Sequence, residues 1–562
     1  MRKPYVFVGV VLMLGWFFCS GLKAQLPAEV DSLLRLYGET WLTIKVSDRE
    51  DLRKLTEFTS VARKDGDAVL VNVNRGEIEE MVRLGYRFVH TPVHRPSDEE
   101  LMLCSGSAES GSWDYYPTWP AFDSIMFAFE SQYPGLCRTH NFLTLSSGRK
   151  LLVVKLTSAL NPSGGKPRFL YSSTMHGNET AGYILTLRLI DHLLGGYGTD
   201  PEATWLLDNM EIWICPLANP DGTYYGGDHT VSGSIRRNGN NVDLNRNYPD
   251  PRVGANPDGN PYQPETIAFM NLADTVSFTS GANLHSGAEV VNYPWDTWTK
   301  FHPDNQWWIR VSRDYADTVQ ANSTPGFFND LSNGITNGAA WYVITGGRQD
   351  YMNYFAHCRE LTLEVSNSFI LPASQLNAMW NYHHRSMIRF LKEGWYGLRG
   401  QVTDSVTGLP LPAKIWITGH DADSSHVWAD AATGFYYRPA YHGAFQVTWS
   451  HPGYHPKTFQ VNIPLQDTVV FDVALVPIGF SIGKVSLPGS LNCWYQGSSG
   501  RIMLNEEVSS GSLLQVFGAD GRLMLSNENP GTSVMADLPA GVYLVALSTP
   551  GKGLLRKKLI IY

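Results

Sequence analysis

Helical periodicity stops at Leu398. Before it, apolar runs such as Leu151-Leu152-Val153-Val154, Arg168-Phe169-Leu170-Tyr171 and Ile212-Trp213-Ile214-Cys215 alternate with helical stretches such as 181–194. Strands buried on both faces read as continuous apolar runs, so this half predicts an α/β domain with a mixed, mostly enclosed sheet flanked by helices. After Leu398 only alternating segments follow, among them Lys414-Ile415-Trp416-Ile417-Thr418 and Val469-Val470-Phe471-Asp472-Val473, which predict a small β-sandwich. A last β-rich stretch, with Leu513-Leu514-Gln515-Val516-Phe517 and Leu538-Pro539-Ala540-Gly541-Val542-Tyr543, reads as a separate module.

The 562 residues exceed what one core fills, since single cores stop growing at roughly 250–300 residues. The expected division is 1–24, a signal peptide; 25–111, a prosegment-like or accessory α+β domain plus linker; 112–396, the α/β domain; 397–477, the β-sandwich; and 478–562, the β module. The leader has Arg2 and Lys3, an apolar run from Val6 to Phe18 and a small residue at Ala24. That run is shorter than the roughly 20 residues of a spanning helix, so it predicts export, secreted or to the cell surface. A net charge of -9 without Lys/Arg-rich runs gives nothing to track a phosphate backbone and excludes nucleic acid as a partner. Beyond the leader, Cys104, Cys137, Cys215, Cys358 and Cys493 form no C-x-x-C pair, which predicts buried thiols.

Within 25–111, strands at 41–46, 68–71 and 86–89 alternate with helices at 48–58 and 75–84, and a Pro, Ser and Asp-rich stretch from His94 to Glu100 reads as a linker.

The first chemical signal is His176-Gly177-Asn178-Glu179, where an apolar strand ends and a helix begins. An imidazole and a carboxylate three apart at a turn can converge on one point, and zinc favours such ligands. His285, at another strand end, can supply the third ligand and leave one position open, as catalytic zinc sites do. Glu364 puts a carboxylate inside the apolar pattern Leu361-Thr362-Leu363-Glu364-Val365, costly to bury without a purpose, and is the candidate general base; Glu360 reads as structural. Between them, Ser234-Ile235-Arg236-Arg237-Asn238 and Val242-Asp243-Leu244-Asn245-Arg246-Asn247 are dense in guanidinium and amide groups that match a carboxylate.

These motifs, with Val291-Asn292-Tyr293-Pro294-Trp295-Asp296 and Gly346-Gly347-Arg348-Gln349-Asp350, resemble the zinc metallocarboxypeptidases, specifically the regulatory subgroup of carboxypeptidases N, E, M and D. The resemblance runs from Ser112 to Val473. It implies one zinc ion per catalytic domain, held by His176, Glu179 and His285, and Glu364 as the base that takes a proton from the attacking water. It further implies that Tyr342 closes over bound substrate, that Asn245 and Arg246 clamp the terminal carboxylate of a peptide or protein, and that Arg236 stabilises the oxyanion, with Arg237 next to it as the other possibility. Asp296 and Gln349, with Asn292 nearby, stand where the subgroup receives a terminal Lys or Arg. Arg348 departs from the subgroup and could compete for Asp296.

The expected function is therefore an exported zinc carboxypeptidase releasing C-terminal Lys or Arg. Two other readings use the same residues: a zinc amidase acting on another substrate such as peptidoglycan peptides, and a non-catalytic surface-binding protein. The N-terminal unit resembles the prosegment of the digestive subgroup, the sandwich a transthyretin-like domain, and the last module a type IX secretion sorting domain, which implies the export machinery as a partner.

Overall fold

The computed structural model describes residues 26–104, 113–160, 165–478, 491–505, 508–550 and 553–561. The expected signal peptide and the 111/112 boundary lie outside the described residues.

Four strands form the N-terminal sheet: β1 (Glu39–Lys45), β2 (Ser60–Asp65), β3 (Ala68–Asn74) and β4 (Phe88–His90), all antiparallel, in the order β2-β3-β1-β4. Helices Ala28–Tyr37, Arg49–Thr56 and Arg75–Arg83 accompany it. Asp48 caps the second helix by accepting the Asp51 N–H, and Asn74 with Glu77 forms a capping box on the third. Helix Ala28–Tyr37 and strand β2 were not among the expected elements. The stretch read as a linker is packed along its length: Arg95 donates to Ser234 O at 2.6 Å and lies over the Tyr37 ring, Ser232 donates to Pro96 O at 2.7 Å, and Asp98–Leu101 is a helical turn.

The central sheet has eight strands: β5 (Cys137–Thr144), β6 (Lys150–Leu156), β7 (Arg168–Ser173), β8 (Glu211–Cys215), β9 (Ser280–His285), β10 (Ala288–Tyr293), β11 (Ile335–Asn337) and β12 (Arg359–Ser366). Their order is β11-β10-β12-β9-β7-β8-β6-β5: β12, β9, β7 and β8 are mutually parallel, β10, β6 and β5 join by antiparallel pairs, and β11 is parallel to β10. Because strand side chains alternate, the sheet feeds two cores. Leu152, Val154, Phe169, Tyr171, Ile212 and Ile214 pack with helices Trp119–Gln132, Ala181–Gly196, Asn305–Ala321 and Leu376–Glu393. Leu151, Val153, Leu170, Trp213 and Cys215 pack with helix Pro264–Val276 and with Tyr351 and Met352.

From 397 to 477 two sheets enclose Leu398, Val402, Ile415, Val447, Trp449 and Leu475. This sandwich docks through a buried ion cluster. Asp304 of the α/β domain meets Arg359 at 2.8 Å and the sandwich's Arg438 at 2.9 Å, and Arg438 also holds Asp421. Asp304, His420 and Asp421 lie close enough to hold a metal, but the two guanidinium groups already neutralise the carboxylates.

Residues from Ile478 to Tyr562 form a second compact unit. It has a three-stranded sheet (Cys493–Gln496, Arg501–Leu504, Ser533–Met535) and a four-stranded one (Leu513–Gly518, Leu523–Glu528, Gly541–Thr549, Gly553–Ile561) around its own core of Leu514, Val516, Val545 and Leu547.

Candidate active site

Parallel strands deliver their side chains to one edge, and ligands in such sheets bind beyond the strands' carboxyl ends. Here β7 ends at Ser173 and leads to His176 and Glu179, β9 ends on His285, and β12 carries Glu364 opposite His285 in register. The local chain is tight: a Cβ on Gly177 would sit 2.3 Å from the Gly222 carbonyl carbon, so only glycine lets the His176 turn approach that backbone.

Three donors converge. His176 Nδ1 lies 2.8 Å from Glu179 Oε1, His285 Nδ1 lies 2.7 Å from Glu179 Oε2, and the two Nδ1 atoms are 3.1 Å apart. The other ring nitrogens are occupied: His176 Nε2 meets Asp243 Oδ1 at 3.1 Å, and His285 Nε2 meets the Asn283 amide at 2.7 Å. Those outer partners fix each ring with Nδ1 turned inward, the arrangement that orients metal-ligating histidines. Burial raises the Glu179 carboxyl, but the adjacent imidazoles outweigh it and hold it well below the usual range. Two imidazole nitrogens and a carboxylate suit zinc. Asp243 was read only as part of a motif; its signal was the carboxylate beside an Arg and Asn cluster.

Around the donors, Arg236 donates to Glu179 Oε1 at 3.1 Å and to Asp243 Oδ2 at 3.0 Å. Its neighbour Arg237 turns away from the metal donors and is buried against Glu39, Asn72 and Glu77 of the N-terminal unit. Arg246 is buried; one nitrogen donates to Asn245 O at 2.8 Å, while Nε and Nη2 have no partner among the described residues. Glu364 Oε2 is likewise unpartnered, and burial, then repulsion from Glu179, push this carboxyl well up against the opposing pull of Arg236.

Beyond Arg246 lies a second acidic group. Asp296 Oδ1 accepts from Asn292 Nδ2 and from Gln349 Nε2, both at 3.0 Å, leaving Asn292 Oδ1 and Gln349 Oε1 unpartnered. Burial lifts the Asp296 carboxyl to about 6, with the Asn292 hydrogen bond and Arg246 opposing. The expected competition from Arg348 is absent. Its guanidinium pairs with buried Glu360 at 2.8 Å and lies over the Phe269 ring, so its charge is already spent.

The site is covered by the N-terminal unit. Val61 and Ala62 of β2 line the same cavity as His176, Glu179, Arg246 and Glu364. Tyr342 donates to Val61 O at 3.2 Å, Ser60 pairs with Asp243, and Arg49 donates to Ala339 O at 2.5 Å. The cavity left beneath is about 20 Å³, and a water needs about 10–15 Å³.

The fold and donor set define a zinc metallohydrolase with its site at the strand ends of a mixed α/β sheet. Comparison with known proteins narrows that class. The model of the zinc carboxypeptidase family matches residues 122–386. Carboxypeptidase SOL1 of Arabidopsis thaliana is 32% identical over 415 residues, covering 72% of this chain and 81% of that protein. Carboxypeptidase M of Mus musculus is 33% identical over 364 residues, 61% of this chain and 79% of that protein. Carboxypeptidase D of Homo sapiens is 34% identical over 376 residues, 64% of this chain; the chain spans only 26% of that protein's length. The crystal structure of carboxypeptidase A from Helicoverpa armigera shares the fold, with a TM-score of 0.50 and 17% identity over 63% of this chain and 96% of that one. The chain belongs to the zinc carboxypeptidase family.

Proposed function

We propose that the chain is an exported zinc carboxypeptidase that releases a C-terminal Lys or Arg, and that the N-terminal unit holds it latent. The observation that carries the exopeptidase reading is Arg246, a buried guanidinium with two nitrogens unpartnered beside the metal donors. Its planar fork matches a terminal carboxylate, and gripping that group confines cleavage to the last residue. A zinc amidase with no terminal carboxylate to hold would leave this buried charge unanswered.

Held by His176, Glu179 and His285, a zinc ion would supply a Lewis acid for the scissile carbonyl and a water ionisable near neutrality. Asp243 and Asn283 keep the two imidazoles turned to that point. Glu364, with a free oxygen, accepts the proton of the attacking water and later delivers it to the leaving amine. Arg236 leaves Glu179 and Asp243 enough to meet the negative charge that develops on the carbonyl oxygen. Tyr342, once free of Val61, covers the bound residue. The basic preference is supported by Asp296 with the open acceptors of Asn292 and Gln349, a set that suits a cation carrying several N–H donors.

Latency is supported by the cavity: with Val61 and Ala62 in its wall there is room for about one water and none for an amino acid. Export is supported by the basic then apolar leader and by the separate β unit from Ile478. Among the described residues no helix is long and apolar enough to cross a membrane.

The test is release of free amino acid from matched peptides ending in Arg, Lys, Leu or Glu, by the full chain and after limited proteolysis, with a chelator control and an amidated control. Chelator-sensitive release of Arg and Lys that amidation abolishes, and that proteolysis increases, is expected. Release from the amidated peptide would sink the exopeptidase reading.

A further inference from the structure

Asp296 lies just beyond the end of β10, outside the sheet, and its loop is gripped by the first turn of helix Arg348–Tyr354. Gln349 holds the carboxylate, donating to Asp296 Oδ1 at 3.0 Å. The next residue, Asp350, holds the main chain: it accepts the Asp296 N–H at 3.0 and 3.1 Å and the Thr297 N–H at 2.8 Å. Two acidic side chains, 2% and 1% exposed, therefore stand together, and neither has an ion-pair partner among the described residues. Unpaired buried carboxylates are costly, and a purely structural loop anchor could have been an amide.

We propose that Asp350 is a positioning residue for specificity: it fixes the Asp296 main chain and adds a second buried negative charge, so that the pocket selects a basic terminal side chain over a neutral one. This rests on the basic-pocket reading above.

The charge count makes the case. Arg246 is the cation whose attraction reaches Asp296, and a bound peptide claims it for the terminal carboxylate. With a terminal Leu, both pocket carboxylates are then left without a positive charge. With a terminal Arg or Lys, the incoming cation answers them. The other groups that face the pair do not help: Asp250 adds repulsion on Asp350 and is itself engaged by Arg252 and the Gly346 N–H, and Tyr342 is neutral. Burial and then the Asp296 charge push the Asp350 carboxyl well up, the direction expected of two acids sharing one pocket without a cation.

The sign for binding follows. The cation prefers the ionised pair, so KM for a peptide ending in Arg falls as pH rises through about 6, while KM for the Leu peptide does not.

The experiment compares wild type, Asp350→Asn and Asp350→Glu on peptides ending in Arg and Leu, across pH 5 to 8, before and after limited proteolysis. Asp350→Asn keeps a carbonyl to accept the N–H groups and loses the charge. The expected result is a KM for the Arg peptide raised about tenfold, kcat within twofold, KM for the Leu peptide unchanged or lower, and a flattened pH dependence; Asp350→Glu keeps the preference. An Asp350→Asn enzyme that favours Arg as strongly as wild type overturns the proposal and leaves the basic pocket standing. A wild type that releases Leu as readily as Arg overturns both. Should Asp350→Asn not fold, Asp350→Ser, whose hydroxyl still accepts an N–H, is compared with wild type after limited proteolysis: a lost preference for Arg supports the proposal, and an unchanged one overturns it.

Discussion

Two regions dock on the same α/β domain by opposite means. The sandwich is fixed by the Asp304, Arg359, Arg438 and Asp421 cluster and by Arg168 with Asp430 at 2.9 Å, and none of its residues lines the metal cavity. The N-terminal unit is fixed by Arg237 with Glu39 and Glu77, and its strand β2 forms a wall of that cavity. Both interfaces use a buried arginine between two carboxylates. Under the latency proposed above, the first interface bears on stability alone and the second on whether substrate reaches the site.

That difference can be broken at several points. Separating the N-terminal unit by limited proteolysis should raise kcat/KM for an Arg-ending peptide by about 10³–10⁴, the factor expected where about one uncleaved molecule in 10³–10⁴ is open. No increase would make the unit a permanent wall. Arg438→Met should cost about 3–5 kcal/mol by leaving Asp304 and Asp421 short of a partner, read as a lower Tm in thermal unfolding, with KM of the surviving folded enzyme unchanged. Arg237→Met leaves Glu39 and Glu77 unanswered and should weaken the closed state by about 2–3 kcal/mol, seen as a roughly 30- to 150-fold rise in the activity of the uncleaved chain. A fall in activity instead would make Arg237 part of the catalytic machinery. Tyr342→Phe removes one hydrogen bond to Val61 and should loosen the cover by about 1 kcal/mol, a severalfold faster proteolytic separation.

The metal donors and the candidate base were legible because each sits where a local pattern changes: His176 and His285 at strand ends, Glu179 one turn on, and the base Glu364 as a charge inside an apolar strand. The sheet was legible for the same reason, as its central strands are buried on both faces. The cover was not. Ser60-Val61-Ala62-Arg63-Lys64-Asp65 has three buried residues followed by three exposed ones, because only its first half touches the α/β domain, and that asymmetry resembles no strand period. Adjacent arginines look alike in a sequence, yet Arg236 faces Glu179 and Arg237 faces Glu39, a division made by partners nearly 200 positions upstream in the second case. Arg348 reads in the sequence as a rival for Asp296 because it departs from the subgroup pattern beside the pocket, and nothing local pairs it with Glu360; in the fold the two neutralise each other.

The small cavity under β2 bears on exchange as well. Under the proposed latency a divalent ion would reach His176, Glu179 and His285 only while that strand is lifted, and an excess of chelator would strip the site no faster than the cover opens. Loss of metal should then be independent of chelator concentration above saturation, and the same rate should rise in Arg237→Met by the factor that activity rises. Metal retention becomes a clock for the motion of a strand that never touches the ion.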